Sequence, residues 1–190
     1  MTVREMTYVS LFAAIMIVLG LLPPIALPFT PVPITAQTLG VMLAGVVLGA
    51  RLGSISMIVF LLIIAIGVPG LAGGRGGLSA LFGPSAGYLF SWPISAFLIG
   101  WLTDKSRQSL SVWKVFLYNI IAGIIFVYAC GIPVQAMIMD ISFKAAAIPS
   151  LAYLPGDLTK AVIAAILGVK VRERLKINNH SYTQNKTINE

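Results

Sequence analysis

Apolar residues fill the chain in long runs, and the polar positions between them are few and clustered. An α-helix needs about 20 mainly apolar residues to cross a bilayer, within a range of roughly 17–25. Six such runs occur, at residues 6–22, 35–50, 52–68, 85–102, 115–139 and 155–171. Pro23 and Pro24 stop the first run, because proline lacks the amide a helix requires. It carries no small-residue cleavage pattern there, so it reads as a retained helix rather than a signal peptide. The second and third runs are short or tilted, with a tight turn at Gly49-Ala50-Arg51-Leu52-Gly53 between them. Pro93 interrupts the fourth run and Pro133 lies near the end of the fifth.

The connections differ in kind. Residues 25–33 hold prolines at 28, 31 and 33 and cannot form a regular helix. Residues 69–84 are a glycine-rich loop with a single charge, Arg75. Residues 103–114 form a charged link, and residues 140–155 form another with Asp140, Lys144 and Pro149. From residue 172 the chain turns polar and is expected to fray. The reading is one six-helix membrane domain over residues 1–175 and a polar cytoplasmic tail over 176–190, expected to be disordered.

Composition strengthens this picture. Apolar residues make up 58% of the 190 and charged residues 10%, with mean hydropathy +0.94. Soluble domains run at about 45–50% apolar and about 25% charged. A soluble enzyme and a disordered chain are both excluded. The fold class is therefore all-α, a polytopic membrane protein of six transmembrane helices. The net charge of +7 reads as orientation in a bilayer. Nucleic-acid binding is not expected, since no basic stripe is interleaved with aromatics. With the N-terminus inside, the inner segments hold ten Lys or Arg and the outer segments two, Arg75 and Lys144. By the positive-inside rule both termini face the cytoplasm, and loops 25–33, 69–84 and 140–155 face outward.

Little in the chain supports catalysis. Cys130 is a lone cysteine, and His180, the single histidine, sits in the tail. No metal cluster, phosphate loop or paired base and nucleophile is present. No enzyme activity, metal or cofactor is expected.

Charges inside a span are costly and point to function. Asp157 and Lys160 are three apart in Pro155-Gly156-Asp157-Leu158-Thr159-Lys160 and share a helix face in its first turns. Asp157 fits a helix-capping role as well as a ligand anchor. Lys160 opposes the helix dipole, so it pairs with Asp157, snorkels outward or meets a ligand. Arg75 stands in Gly73-Gly74-Arg75-Gly76-Gly77, where glycines let backbone approach a ligand or let a lid move. Thr35 opens the second run as an N-cap or a ligand group, and Gln37 is too polar to face lipid. Tyr88 fits an interfacial belt or a site wall. On the first helix Ser10, Ala13 and Ala14 are small residues suited to close helix approach, within the chain or toward a partner subunit.

These motifs together closely resemble the BioY family, the biotin-specific substrate-binding components of energy-coupling factor (ECF) transporters. The resemblance covers about residues 4–172. It rests on residues 31–38, 48–53, 67–69, 73–77, 83–88 and 155–160. It implies six helices in the cell membrane, biotin capture from outside, and a partner module of a transmembrane coupling subunit and two cytoplasmic ATPases. It implies docking through an Ala-x-x-x-Ala face on the first helix, where this chain has Ser10 in place of the first alanine. Biotin has a ureido ring with N–H donors and a carbonyl acceptor, a fused sulfur ring and a carboxylate tail. On this resemblance Asp157 and Lys160 bind the ureido group, with Gln37 and Thr35 completing the polar end. The glycines from Gly73 and Gly74 onward and Tyr88 then enclose the apolar body, and Arg75 holds the carboxylate. The reverse orientation, with Lys160 on the carboxylate, is the alternative. A solitary secondary transporter of biotin or another small vitamin is the alternative function.

Overall fold

The structure, a computed structural model, describes residues 1–175; the tail expected over 176–190 lies outside the described residues. The chain is mostly helical. Helix α1 spans Val3–Leu21 and starts in a capping box, with Thr2 accepting from the Glu5 amide. A β-hairpin follows, β1 (Ile25–Leu27) and β2 (Thr30–Ile34). Then come α2 (Gln37–Ala65), the short α3 (Leu78–Leu81) and α4 (Ala86–Lys105). Helix α5 (Val112–Tyr118) runs through a π-helical segment, Asn119–Ile125, into α6 (Phe126–Met139). Helix α7 (Phe143–Ser150) and a 3-10 turn lead into α8 (Leu154–Leu175).

Among the described residues, five helical stretches are long and apolar enough to cross a membrane, where the sequence predicts six runs. The difference lies in α2. A straight 29-residue helix would be about 43 Å long. Yet the Gln37 side chain at its start donates to the carbonyl of Gly70, five residues beyond its end. The chain therefore reverses at Gly49, whose φ of +79° and ψ of −176° are not helical. Such a φ favours glycine. The two arms then pack backbone to backbone, since a Cβ on Gly53 would lie 2.8 Å from the Ala44 carbonyl oxygen. Helix α4 covers this turn, and a Cβ on Gly100 would come within 2.3 Å of the Ala50 amide nitrogen.

Four other expectations change. Residues 25–33 form a hairpin rather than an irregular loop, because an alternating Pro-Val-Pro stretch suits extended backbone. Residues 140–155 contain α7, capped by Ser142, whose hydroxyl accepts from the Ala145 amide. Residues 172–175 do not fray, because α8 continues to Leu175. Arg172 is buried there, donating to the Val46 carbonyl at 2.7 Å and pairing with Asp104. Asp104 also accepts from the Ala50 amide at 3.1 Å. This cluster ties α8, α4 and the Gly49 turn at one end of the bundle. Pro93 does not interrupt α4, which is helical throughout.

The core centres on α2. Met16, Met42, Met57, Phe60 and Ile64 are among its most deeply buried side chains. The end of α1, the starts of α2, α4 and α8, and the hairpin all meet at the end opposite Arg172. They leave a cleft there.

Candidate functional site

The cleft has a volume of about 610 Å³, its open mouth included. Its wall is mainly apolar, from Leu71, Leu89, Trp92, Val127 and the hairpin residues Val32 and Ile34. The polar groups converge at one corner.

That corner is built by α8 and α2. The three-residue spacing on α8 sets Asp157 and Lys160 side by side, with Nζ to Oδ1 at 2.8 Å. Thr38, one residue into α2, donates to the same oxygen at 3.2 Å and accepts from Lys160 at 3.1 Å. Tyr128 on α6 donates to the other Asp157 oxygen at 2.6 Å. Asp157 is 5% exposed. Burying charges is unfavourable unless the pair is well hydrogen-bonded, and three donors on one carboxylate meet that requirement. Lys160 has three N–H donors and uses two of them here. One remains for a ligand. Asp157 is not the cap of α8, which begins at Leu154.

The other expected residues take varied places. Thr35 lines the cleft but is not an N-cap, since α2 begins at Gln37 behind Ala36, with no side-chain cap. Gln37 borders the cleft, yet its amide is committed to backbone. It donates to Met16 O at 3.1 Å and Gly70 O at 2.9 Å, and accepts from Ala72 N at 3.2 Å. It pins α1, the glycine-rich loop and α2 together. Gln37→Leu should orphan these buried groups, each at about 1–3 kcal/mol. The expected result is a clearly lower melting temperature in detergent, measured by thermal unfolding.

Arg75 lines the cleft and is held by its Nε donating to Ala72 O at 3.2 Å. Leu71 and Arg75 bridge each other, and Gly73 and Gly74 form the turn between them with φ of +79° and +70°. These two glycines shape the turn and do not line the cleft, contrary to the expectation of direct ligand contact. Tyr88 does line it, and its hydroxyl donates to Gln135 at 3.2 Å.

Two donors, one just before α4 and one on it, stand out. Ser85 Oγ and Trp92 Nε1 are buried, without a hydrogen-bond partner, and belong to cleft-lining residues. Buried polar groups are normally satisfied, so a ligand acceptor fits beside them. Tyr128 and Tyr153 went unforeseen. Each is a lone tyrosine in apolar sequence, and only the fold brings them to Asp157 and the hairpin.

On α1, Ser10 and Ala14 are exposed on one face, whereas Ala13 is 1% exposed within the core around α2. Successive residues turn about 100° around a helix, so Ala13 points away from its neighbour Ala14 and into the core. Ala13 is thus removed from the expected docking face.

The sequence profile of the BioY family matches residues 1–177. A probable biotin transporter BioY from Bacillus subtilis is 48% identical over 180 residues, covering 95% of this chain and 96% of that one. A biotin transporter BioY from Rhizobium etli is 50% identical over 173 residues, covering 88% of this chain and 92% of the other. Among solved structures, the crystal structure of the S-component for biotin from an ECF-type ABC transporter superposes with a TM-score of 0.87. It is 35% identical and covers 91% of this chain and 95% of that one.

Proposed function

This chain belongs to the BioY family, and on that footing we propose that it captures biotin in the cleft and delivers it through an ECF-type transporter module. The observation that carries the assignment is the corner of Asp157, Lys160, Thr38 and Tyr128 at the end of an apolar cleft. A ureido group offers donors to Asp157 and an acceptor to the remaining Lys160 proton. The apolar ring and tail lie along Leu71, Leu89 and Trp92. Three charged residues line the cleft, Asp157, Lys160 and Arg75, leaving one net positive charge for the ligand carboxylate. Arg75 takes that carboxylate.

The chain crosses the cell membrane six times, with the two arms of α2 as separate crossings. The cleft faces outward. Arg4, Arg51, Lys105, Lys114 and Arg174 lie at the opposite end of the bundle, while Arg75, Lys144 and Lys160 lie at the cleft end. That asymmetry supports cytoplasmic termini. The exposed Ser10 and Ala14 face of α1 docks on a transmembrane coupling subunit driven by two cytoplasmic ATPases, and Ala13 serves internal packing.

Titration calorimetry of biotin into the detergent-purified chain tests the substrate; a folded chain that evolves no binding heat refutes it. The orientation has its own test. Arg75→Ala should weaken biotin binding about ten- to hundredfold, the value of a charge-assisted hydrogen bond. It should leave biotin methyl ester, which lacks the charge, bound about as by the parent. An equal loss for both ligands would place the carboxylate elsewhere.

A further inference from the structure

The hairpin that walls the cleft is too weak to hold itself. Strand β1 has three residues and β2 five, and the register slips between Ile25 and Leu27. Pro31 and Pro33 remove two amide donors from β2. An isolated two-stranded hairpin is at best marginally stable. Yet Val32, Pro33 and Ile34 line the cleft and have to be placed for a ligand to be enclosed.

Side chains supply what the ladder lacks. Tyr88, in the cleft wall, donates to Gln135 Oε1 at 3.2 Å. Gln135 Nε2 donates to Thr30 Oγ1 at 3.3 Å. Thr30 and Tyr153 hydroxyls are 2.8 Å apart, and Tyr153 donates to the Val32 carbonyl at 2.8 Å. Each hydroxyl has one hydrogen. Because the Tyr153 hydrogen goes to Val32, the Thr30 hydrogen must go to Tyr153. The four bonds then run in one direction without a gap, from the cleft wall through α6 into the hairpin. Thr30 Oγ1 also accepts from the Val32 amide at 3.3 Å, so the threonine clasps the strand from inside. Gln135 is 2% exposed and Tyr153 5%, so water does not readily replace these bonds.

We infer that Thr30, Gln135 and Tyr153 form a latch, a set of positioning residues that holds the hairpin against the cleft and sets how long the ligand stays. The inference rests on the proposed ligand site, because residence time needs a ligand. The latch itself is a property of the hairpin and is readable without one. Thr30 does not line the cleft, so changing it alters the latch and not the ligand contacts, whereas Tyr153 does line it, which makes Thr30→Val the variant that isolates the latch.

The test uses the full chain in detergent, with Thr30→Val, Thr30→Ser, Tyr153→Phe and the Thr30→Val/Tyr153→Phe pair. Labelled biotin is bound, excess unlabelled biotin is added, and release is followed. Thr30→Val and Tyr153→Phe should each release biotin at least about tenfold faster, since the first removes three of these hydrogen bonds and the second two, each worth roughly two- to tenfold. Thr30→Ser, which keeps the hydroxyl, should behave as the parent. The double variant should release little faster than the faster single one, since both break the same chain. Amide hydrogen exchange over residues 25–34 is measured on the same proteins without biotin. It should quicken in Thr30→Val and Tyr153→Phe and stay parental in Thr30→Ser, with the helices unchanged. Release within about twofold of the parent in both single variants, or unchanged exchange, overturns the latch. If the parent binds no biotin, the substrate assignment fails instead, and the exchange result alone decides the latch.

Discussion

Asp157→Asn should reduce biotin affinity by about thirtyfold to several thousandfold, the largest effect of any single substitution in the cleft. The carboxylate takes donors from Lys160, Thr38 and Tyr128, and on the proposed orientation also from the ureido group. An asparagine offers one acceptor oxygen, and its amide nitrogen is a donor facing donors. Lys160 is then left as a partly buried cation without a counter-charge. Removing one partner of a buried charge pair at a binding site costs about 2–5 kcal/mol, and each 1.4 kcal/mol is about tenfold. The same change should lower stability. A second variant separates the two effects. Asp157→Asn with Lys160→Gln removes the stranded charge and should restore much of the melting temperature without restoring binding. Calorimetry and thermal unfolding on the three proteins read both quantities. Recovery of binding in the double variant would show that Asp157 serves only the ion pair.

Gly100→Ala should leave little folded protein. Its Cβ would meet Ala50 N and Gly49 C at 2.3 Å, and both are backbone atoms that no rotamer change can move. Relief requires α4 to move away from the Gly49 turn. That shift would also disturb the Asp104 bond to the Ala50 amide and the pairing with Arg172. Overpacking a tight core costs about 1–3 kcal/mol and more where backbone is hit, so a loss above about 3 kcal/mol is expected. Gly74→Ala is the contrast. It has φ +70° with open space around the missing Cβ, so the cost is the left-handed conformation alone, about 1–2 kcal/mol. The measurement is the yield of monodisperse protein and its melting temperature. Equal behaviour of the two variants would contradict the packing described at the turn.

The apolar runs made the helices legible, since the bilayer length is written in residue counts. Even the reversal at Gly49 could be read, from a glycine pair flanking one arginine. The hairpin could not be read as such, because proline excludes helix without choosing between loop and strand. Arg172 was misplaced because polarity alone marks a helix end as solvated. Its carboxylate partner, Asp104, is 68 residues away in the chain.

The site was partly legible for a similar reason. Asp157 and Lys160 declare themselves by charge within an apolar span and by a spacing that shares a face. Gln37 was visible as a buried amide, but its three backbone partners lie on other segments and turn it into a pin. Gly73 and Gly74 supplied a turn where direct contact was expected. Tyr128 and Tyr153 carry no local pattern. Their importance comes from what stands opposite them after folding, and a single sequence holds no periodicity for that.

The central claim is that biotin lies in this cleft with its ureido ring on the Asp157 corner. A structure of the chain determined with bound biotin tests it most directly. The account predicts the ureido group within hydrogen-bond distance of Asp157 and Lys160, and the carboxylate beside Arg75. Biotin bound outside the cleft, or reversed with its carboxylate on Lys160, would contradict it.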